Sequence, residues 1–146
     1  MTEGKLSDYK KAGVNRLSIG LQSTNNERLK QIGRIHSFEQ FLETYQMARK
    51  VGFQNINIDF MIGLPNQTVE EVAEGIEKVI SLKSEHISVY SLIVEEGTSI
   101  QKQIEEGNLR LPEEEIERKM YWKVKKLLEK KGYLHYEISN FAIPRL

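Results

Sequence analysis

Apolar strands alternating with amphipathic helices predict a parallel α/β fold for this 146-residue chain, built of repeated βα units. Three observations carry that prediction. Short apolar runs recur at 15–21, 54–62 and 86–93. Two capping-box patterns, Ser37-x-x-Gln40 and Thr68-x-x-Glu71, stand directly before stretches with helical apolar spacing. Glycines 13, 33, 52 and 132 stand where those helices would stop.

In order, a helix ends at Ala12 with Leu6, Tyr9 and Ala12 on one side and Gly13 as its cap. A strand over Asn15–Leu21 follows, then a short helix around Asn26–Ile32. Ser37 opens a helix whose stripe is Phe38, Phe41, Leu42, Tyr45 and Ala48. After Gly52 comes a strand over Gln54–Ile62, broken by the Gly63-Leu64-Pro65 turn. The next helix buries Val69, Val72, Ala73, Ile76, Val79 and Ile80, and leads to a strand over His86–Ile93. A loop at 95–98 precedes a short helix near Ser99–Glu106. Pro112 is placed in the first turn of a long helix to Lys131, and a last strand covers Tyr133–Ile138.

Right-handed crossovers would set the strand ends Gln22, Ile62 and Ile93 on one face of the sheet, where ligands bind in such folds. Three parallel strands and a terminal one cannot close a barrel of about eight strands. The pattern therefore reads as part of a larger, incomplete barrel.

Composition narrows the function. Apolar content of 39% and charged content of 29% are ordinary for a globular domain. The formal net charge of +0, from 21 basic and 21 acidic residues, argues against a nucleic acid held mainly by charge. Zero cysteines exclude a disulfide, a thiolate nucleophile, and thiolate ligands for zinc or an iron–sulfur cluster. No apolar run approaches the roughly 20 residues of a membrane span, and the first residues lack a signal-peptide apolar core. Cytoplasmic placement is expected.

The segment Asn57-Ile58-Asp59-Phe60-Met61-Ile62-Gly63-Leu64-Pro65 reads as a buried strand with a lone carboxylate. An ionised Asp in an apolar setting costs several kcal/mol unless paired, so Asp59 needs a partner. A second segment, Asn15–Ser23, delivers Gln22 and Ser23 to a strand end.

These two segments, together with Ile87-Ser88-Val89-Tyr90-Ser91-Leu92 and Tyr136-Glu137-Ile138-Ser139-Asn140-Phe141-Ala142, resemble the oxygen-independent coproporphyrinogen III oxidase family of radical S-adenosylmethionine (SAM) enzymes. The last segment is most similar to the haem-chaperone branch of that family. The resemblance implies an incomplete (β/α)₆ barrel, of which residues 1–131 supply about strands four to six and residues 132–146 begin the region beyond. It implies a SAM site to which Gln22 and Asp59 contribute ribose contacts, Arg34 a carboxylate contact and Ile93 a backbone contact near the adenine. Gly63 and Pro65 would shape that pocket's wall. It also implies a [4Fe–4S] cluster in the parent, whose Cys-x-x-x-Cys-x-x-Cys ligands and Gly-Gly-Thr-Pro companion are absent here.

A piece of a tetrapyrrole-metabolising oxidoreductase, inactive alone, is therefore one expectation. A haem-binding chaperone or other non-catalytic module is the alternative. Expected partners are a tetrapyrrole or haem, the missing barrel half, and a second copy through an exposed sheet edge.

Other readings stand beside these. Asp59 as a helix cap or an Arg partner, Gln22 as a satisfied loop amide and Arg34 as a solvated cation are the structural alternatives. Glu95 and Glu96 read as solvated acids, and His36, His86 and His135 lack metal-ligand spacing. Tyr90, Tyr121, Trp122 and Tyr136 are read as core or subunit-packing residues rather than a porphyrin platform. The charged run from Glu113 to Lys119 reads as the exposed face of the long helix.

Overall fold

The computed structural model describes residues 2–137 and 139–144. Its elements run α1 (Glu3–Lys11), β1 (Arg16–Gln22), α2 (Asn26–Gln31), α3 (Phe38–Val51), β2 (Asn55–Ile62), α4 (Val69–Ser81), β3 (His86–Ser91), α5 (Ser99–Glu105), α6 (Glu114–Lys130), β4 (Leu134–Tyr136) and β5 (Asn140–Ala142). They form a 5-stranded sheet in the order β1-β2-β3-β5-β4. The first three strands are parallel, β5 is antiparallel to β3, and β4 is antiparallel to β5. The open sheet with parallel βα units is the predicted architecture of a partial barrel.

Strand β2 sets the layering. Ile56, Ile58, Phe60 and Ile62 are all essentially buried, and the period of two in a strand puts them on one side. Ile87 and Val89 stand beside Ile58 and Phe60 in register, and Phe141 beside Ile87. Phe41, Tyr45 and Ala48 of α3, Val72, Ile76 and Val79 of α4, and Met120, Val124 and Leu128 of α6 complete this core. Gly75 allows α4 its close approach, because a Cβ there would lie 3.0 Å from Phe60 Cζ and 3.2 Å from Thr24 Oγ1.

The helix starts follow local chemistry. Ser37 and Gln40 form the reciprocal capping box, with Gln40 N donating to Ser37 Oγ and Ser37 N to Gln40 Oε1. Thr68 caps α4 through Glu71 N, but the Glu71 carboxylate does not return to Thr68. It is drawn away by Arg28, whose charge outbids a single backbone amide. Pro112 lies before the cap of α6, which is Glu113, rather than in the first turn.

Several further expectations change. Strand β3 stops at Ser91, so Ile93 lies in the loop beyond it. The predicted single strand at 133–138 is instead a hairpin of β4 and β5, whose three-residue strands are too short to show a periodicity; Ile138 lies outside the described residues. Tyr9 and Ala12 are exposed, and α1 is anchored by the buried Leu6, with Lys10 over the Phe53 ring beside it. Trp122 is 56% exposed and Tyr90 and Tyr136 are also exposed, so they are not core residues. Trp122 lies under the Lys125 ammonium, on the outer side of α6.

The strand N-terminal ends are pinned by two buried phenols. Tyr133 donates to Ser84 O at 2.6 Å and Tyr45 to Leu82 O at 2.8 Å. Burial holds both phenols above their ordinary pKa of 10.0; Arg49 opposes this at Tyr45, as does the Ser84 side chain at Tyr133. A raised folded pKa makes the phenol contribute stability in full below the unfolded value, and that contribution is lost as pH rises through the folded one. The melting temperature is therefore expected to fall as pH climbs past about 10. In Tyr133→Phe, followed by circular dichroism, that alkaline fall is expected to be shallower. An unchanged alkaline slope would contradict the assignment.

Candidate functional site

The sheet has a second face, and it is polar. Ser18 of β1, Asn57 and Asp59 of β2, Ser88 of β3 and Asn140 of β5 lie across it, opposite the helices. Asp59 is half-buried on this open side rather than enclosed in an apolar run. The alternation Asn55, Asn57, Asp59 against Ile56, Ile58, Phe60 was the signal in the sequence. Among the described residues the carboxylate neither caps a helix nor meets an Arg. Asp59 Oδ1 accepts from Asn57 Nδ2 at 2.9 Å, and Oδ2 accepts from Ser18 Oγ at 3.4 Å. Each carboxylate oxygen offers two lone-pair positions, so acceptor capacity remains toward the open face.

Gln22 reaches the same place by an unusual backbone. A β-bulge skips Leu21 between the pairs Gly20–Asp59 and Gln22–Phe60, and Gln22 sits at φ 71, a left-handed conformation that costs a non-glycine residue about 1–2 kcal/mol. Its side chain turns back over Gly20, where a Cβ would lie 3.1 Å from Gln22 Nε2. Gly20 is the register partner of Asp59, so the amide and the carboxylate share one corner. Gln22 is only 8% exposed, yet its amide has no hydrogen-bond partner among the described residues. An unpartnered amide tip that reaches solvent, beside a carboxylate with spare acceptor positions, fits a polyhydroxylated ligand such as a ribose.

Three strand-end loops frame this corner. His36 donates to Leu21 O at 3.0 Å and folds the 33–37 loop against the end of β1. Arg34 lies in that loop, exposed, its guanidinium unpaired among the described residues. Arg28 joins the loops after β1 and β2: its Nε donates to Glu71 at 3.1 Å and its NH2 to Asn66 O at 3.1 Å. Asn25 Nδ2 adds a bond to the same carboxylate at 3.1 Å. Within the Gly-Leu-Pro turn, Gly63 has φ 74 and Leu64 N donates to Gln67 Oε1 at 3.0 Å. Leu92 N donates to Ile62 O at 3.0 Å, bringing the loop after β3 alongside. The Ile93 side chain beyond it is 79% exposed, as suits a residue that would offer its backbone.

The structure thus brings Gln22 and Asp59 together and sets Arg34 and Ile93 on flanking loops at the same end of the sheet. Sequence reading missed Ser18, Asn57, Ser88 and Asn140. Among the described residues no group of His, Cys, Asp and Glu could hold a metal ion. No helix among them is long and apolar enough to cross a membrane.

If Gln22 serves a ligand rather than packing, Gln22→Gly is expected to leave the unfolding free energy in urea unchanged or raise it by up to about 1 kcal/mol, because backbone strain is relieved. A loss of more than about 1 kcal/mol would identify it as a packing residue.

Comparison with known proteins places this geometry. Residues 1–79 match the family model described as the radical SAM superfamily. The chain is 45% identical over 138 residues to the heme chaperone HemW of Bacillus subtilis (strain 168), covering 94% of this chain and 36% of that protein. It is 40% identical over 140 residues to the mitochondrial radical S-adenosyl methionine domain-containing protein 1 of Danio rerio, covering 96% and 32%. The solved structure of coproporphyrinogen III oxidase (HemN) from Escherichia coli superposes with a TM-score of 0.88 at 27% identity, over 100% of this chain and 33% of that one. The chain spans about a third of the length of each. It belongs to the radical SAM superfamily, related to HemN and to the HemW proteins.

Proposed function

We propose that this chain forms the ribose- and adenine-facing wall of a SAM pocket in a tetrapyrrole-related radical SAM protein. The observation that carries the reading is the unpartnered Gln22 amide, at the end of β1 and turned back over Gly20, beside the Asp59 carboxylate that is in register with Gly20 on the open face. Bound SAM would supply a sulfonium carbon–sulfur bond for reductive cleavage. Asp59 accepts from the two ribose hydroxyls through lone pairs that Asn57 and Ser18 leave free, and charge assistance makes such bonds about twice as strong as neutral ones. Gln22 presents its amide from the facing strand. Arg34 offers a planar two-donor fork to the SAM carboxylate, and the backbone of Ile93 borders the adenine. The [4Fe–4S] cluster does not fit this chain's donors, because its 146 residues include no cysteine.

For the larger function, the relatives divide. The 45% and 44% identical proteins are named heme chaperones, whereas the oxidase structure stands at 27%. That contrast favours the haem-chaperone reading over oxidative decarboxylation of coproporphyrinogen III. Haem or another tetrapyrrole is accordingly the proposed partner, and the cytoplasm the proposed compartment. Residues 1–131 are proposed as barrel, with 132–146 opening the region that follows. The unpaired outer edge of β1 borders a groove of about 580 Å³ lined by Ser18, Gly20, His36, Gln40 and Thr44; this is the proposed seat of the preceding barrel strands, or of a second copy.

In calorimetric titration of the full-length protein with SAM, Asp59→Asn is expected to weaken binding by about 10- to 100-fold, the range for lost hydrogen bonds to a charged group. An affinity equal to the parent's would refute the ribose role.

A further inference from the structure

The Asp59 carboxylate is oriented by a row of neutral groups that reaches from β1 to the C-terminal hairpin. Asn57 is its pivot. That residue is 4% exposed and uses both amide protons, one to Asp59 Oδ1 at 2.9 Å and one to Ser18 Oγ at 2.9 Å. Only the nitrogen end of an amide can donate to a carboxylate. One of the two amide orientations of Asn57 is therefore productive, and the other would point its oxygen at a charged oxygen.

Ser88 decides between them. From the neighbouring strand its hydroxyl donates to Asn57 Oδ1 at 3.0 Å. Ser88 Oγ also lies 2.8 Å from Asn140 Oδ1 in β5, and Asn140 Nδ2 donates to Glu137 Oε2 at 3.1 Å. A hydroxyl has one proton and here faces two carbonyl oxygens. The Asn57 oxygen is buried with no other donor among the described residues, while Asn140 is half-exposed and has access to water. An unsatisfied buried acceptor is the costlier of the two, so the proton rests on the Asn57 side. Asn140 Oδ1, itself an acceptor, competes for that proton and gives the Ser88 oxygen no hydrogen in return. The Ser18 contact to Asp59, at 3.4 Å, is too long to set the carboxylate by itself.

We propose that Asn57 and Ser88 are positioning residues that turn the Asp59 carboxylate toward a vicinal diol. The inference rests on the reading of Asp59 as the ribose-holding carboxylate.

The test is calorimetric titration of the full-length protein with SAM and with its 2′-deoxy counterpart, taking the ratio of the two affinities. The parent protein is expected to favour SAM. Ser88→Ala is expected to shrink that preference by about tenfold, one lost orienting hydrogen bond, with the melting temperature lowered by a few degrees because the Asn57 oxygen is left without a donor. Ser88→Thr, which keeps the hydroxyl, should restore it. Should Ser88→Ala fail to fold, Ser88→Cys, whose thiol is a weak donor, carries the test, with a several-fold loss of preference expected. A merely structural role would weaken both ligands equally and leave the ratio intact, and that result, in either variant, would overturn the proposal. A parent protein that does not distinguish the two ligands would instead overturn the ribose role of Asp59, and the positioning role with it.

Discussion

Everything in this molecule follows from the two-sidedness of β2. Ile56, Ile58, Phe60 and Ile62 are driven into one layer against α3, α4 and α6, each burying on the order of 1.5–3 kcal/mol of transfer free energy. Because successive side chains in a strand alternate, that burial forces Asn55, Asn57, Asp59 and Met61 to the opposite side. A one-residue slip in register would exchange the two sets and bury a carboxylate among helices. The polar face is thus specified by the same hydrophobic pattern that stabilises the fold.

Position along the strands then decides which polar groups can act. Parallel strands of sequential order deliver their C-terminal ends to one rim, and the left-handed Gln22 and Gly63 redirect the chain there. The bulge at Leu21 matters most, because it keeps Leu21 in the core while folding the Gln22 side chain back over Gly20. Strain of this kind persists only where surroundings over-determine it. The Arg28–Glu71–Asn25 cluster, with Arg28 also holding Asn66 O, supplies that rigidity by locking the loops after β1 and β2 to each other.

The parallel βα rhythm, the helix spans and the strand-end location of Gln22 are legible in the sequence because each rests on local signals (apolar period, caps and glycines), whereas Asp59 stands within β2, three residues short of its end. What escaped reading depends on tertiary partners. Glu71 abandons its capping box because Arg28 arrives from another helix. The β4–β5 hairpin forms because Ile87 and His86 offer pairing groups to Phe141 and Ala142, which three-residue strands do not announce. The exposure of Trp122 and Tyr90 reflects faces that this chain leaves uncovered. Asp59 stands on an open polar face rather than in the continuous apolar run that its segment suggests, because the period-two alternation around it sets Asn55, Asn57 and Asp59 opposite the buried Ile56, Ile58 and Phe60.

The central claim is that the open rim of the sheet, around Gln22 and Asp59, receives a nucleoside. Mapping backbone amide chemical shifts by NMR while adding S-adenosylhomocysteine tests it most directly. The account predicts that the resonances of Gly20, Gln22, Asp59, Gly63 and Ile93 shift together with one dissociation constant, while those at the opposite strand ends, such as Arg16, Asn55 and His86, stay still. Shifts confined to those opposite ends, or none at saturating ligand, would contradict it.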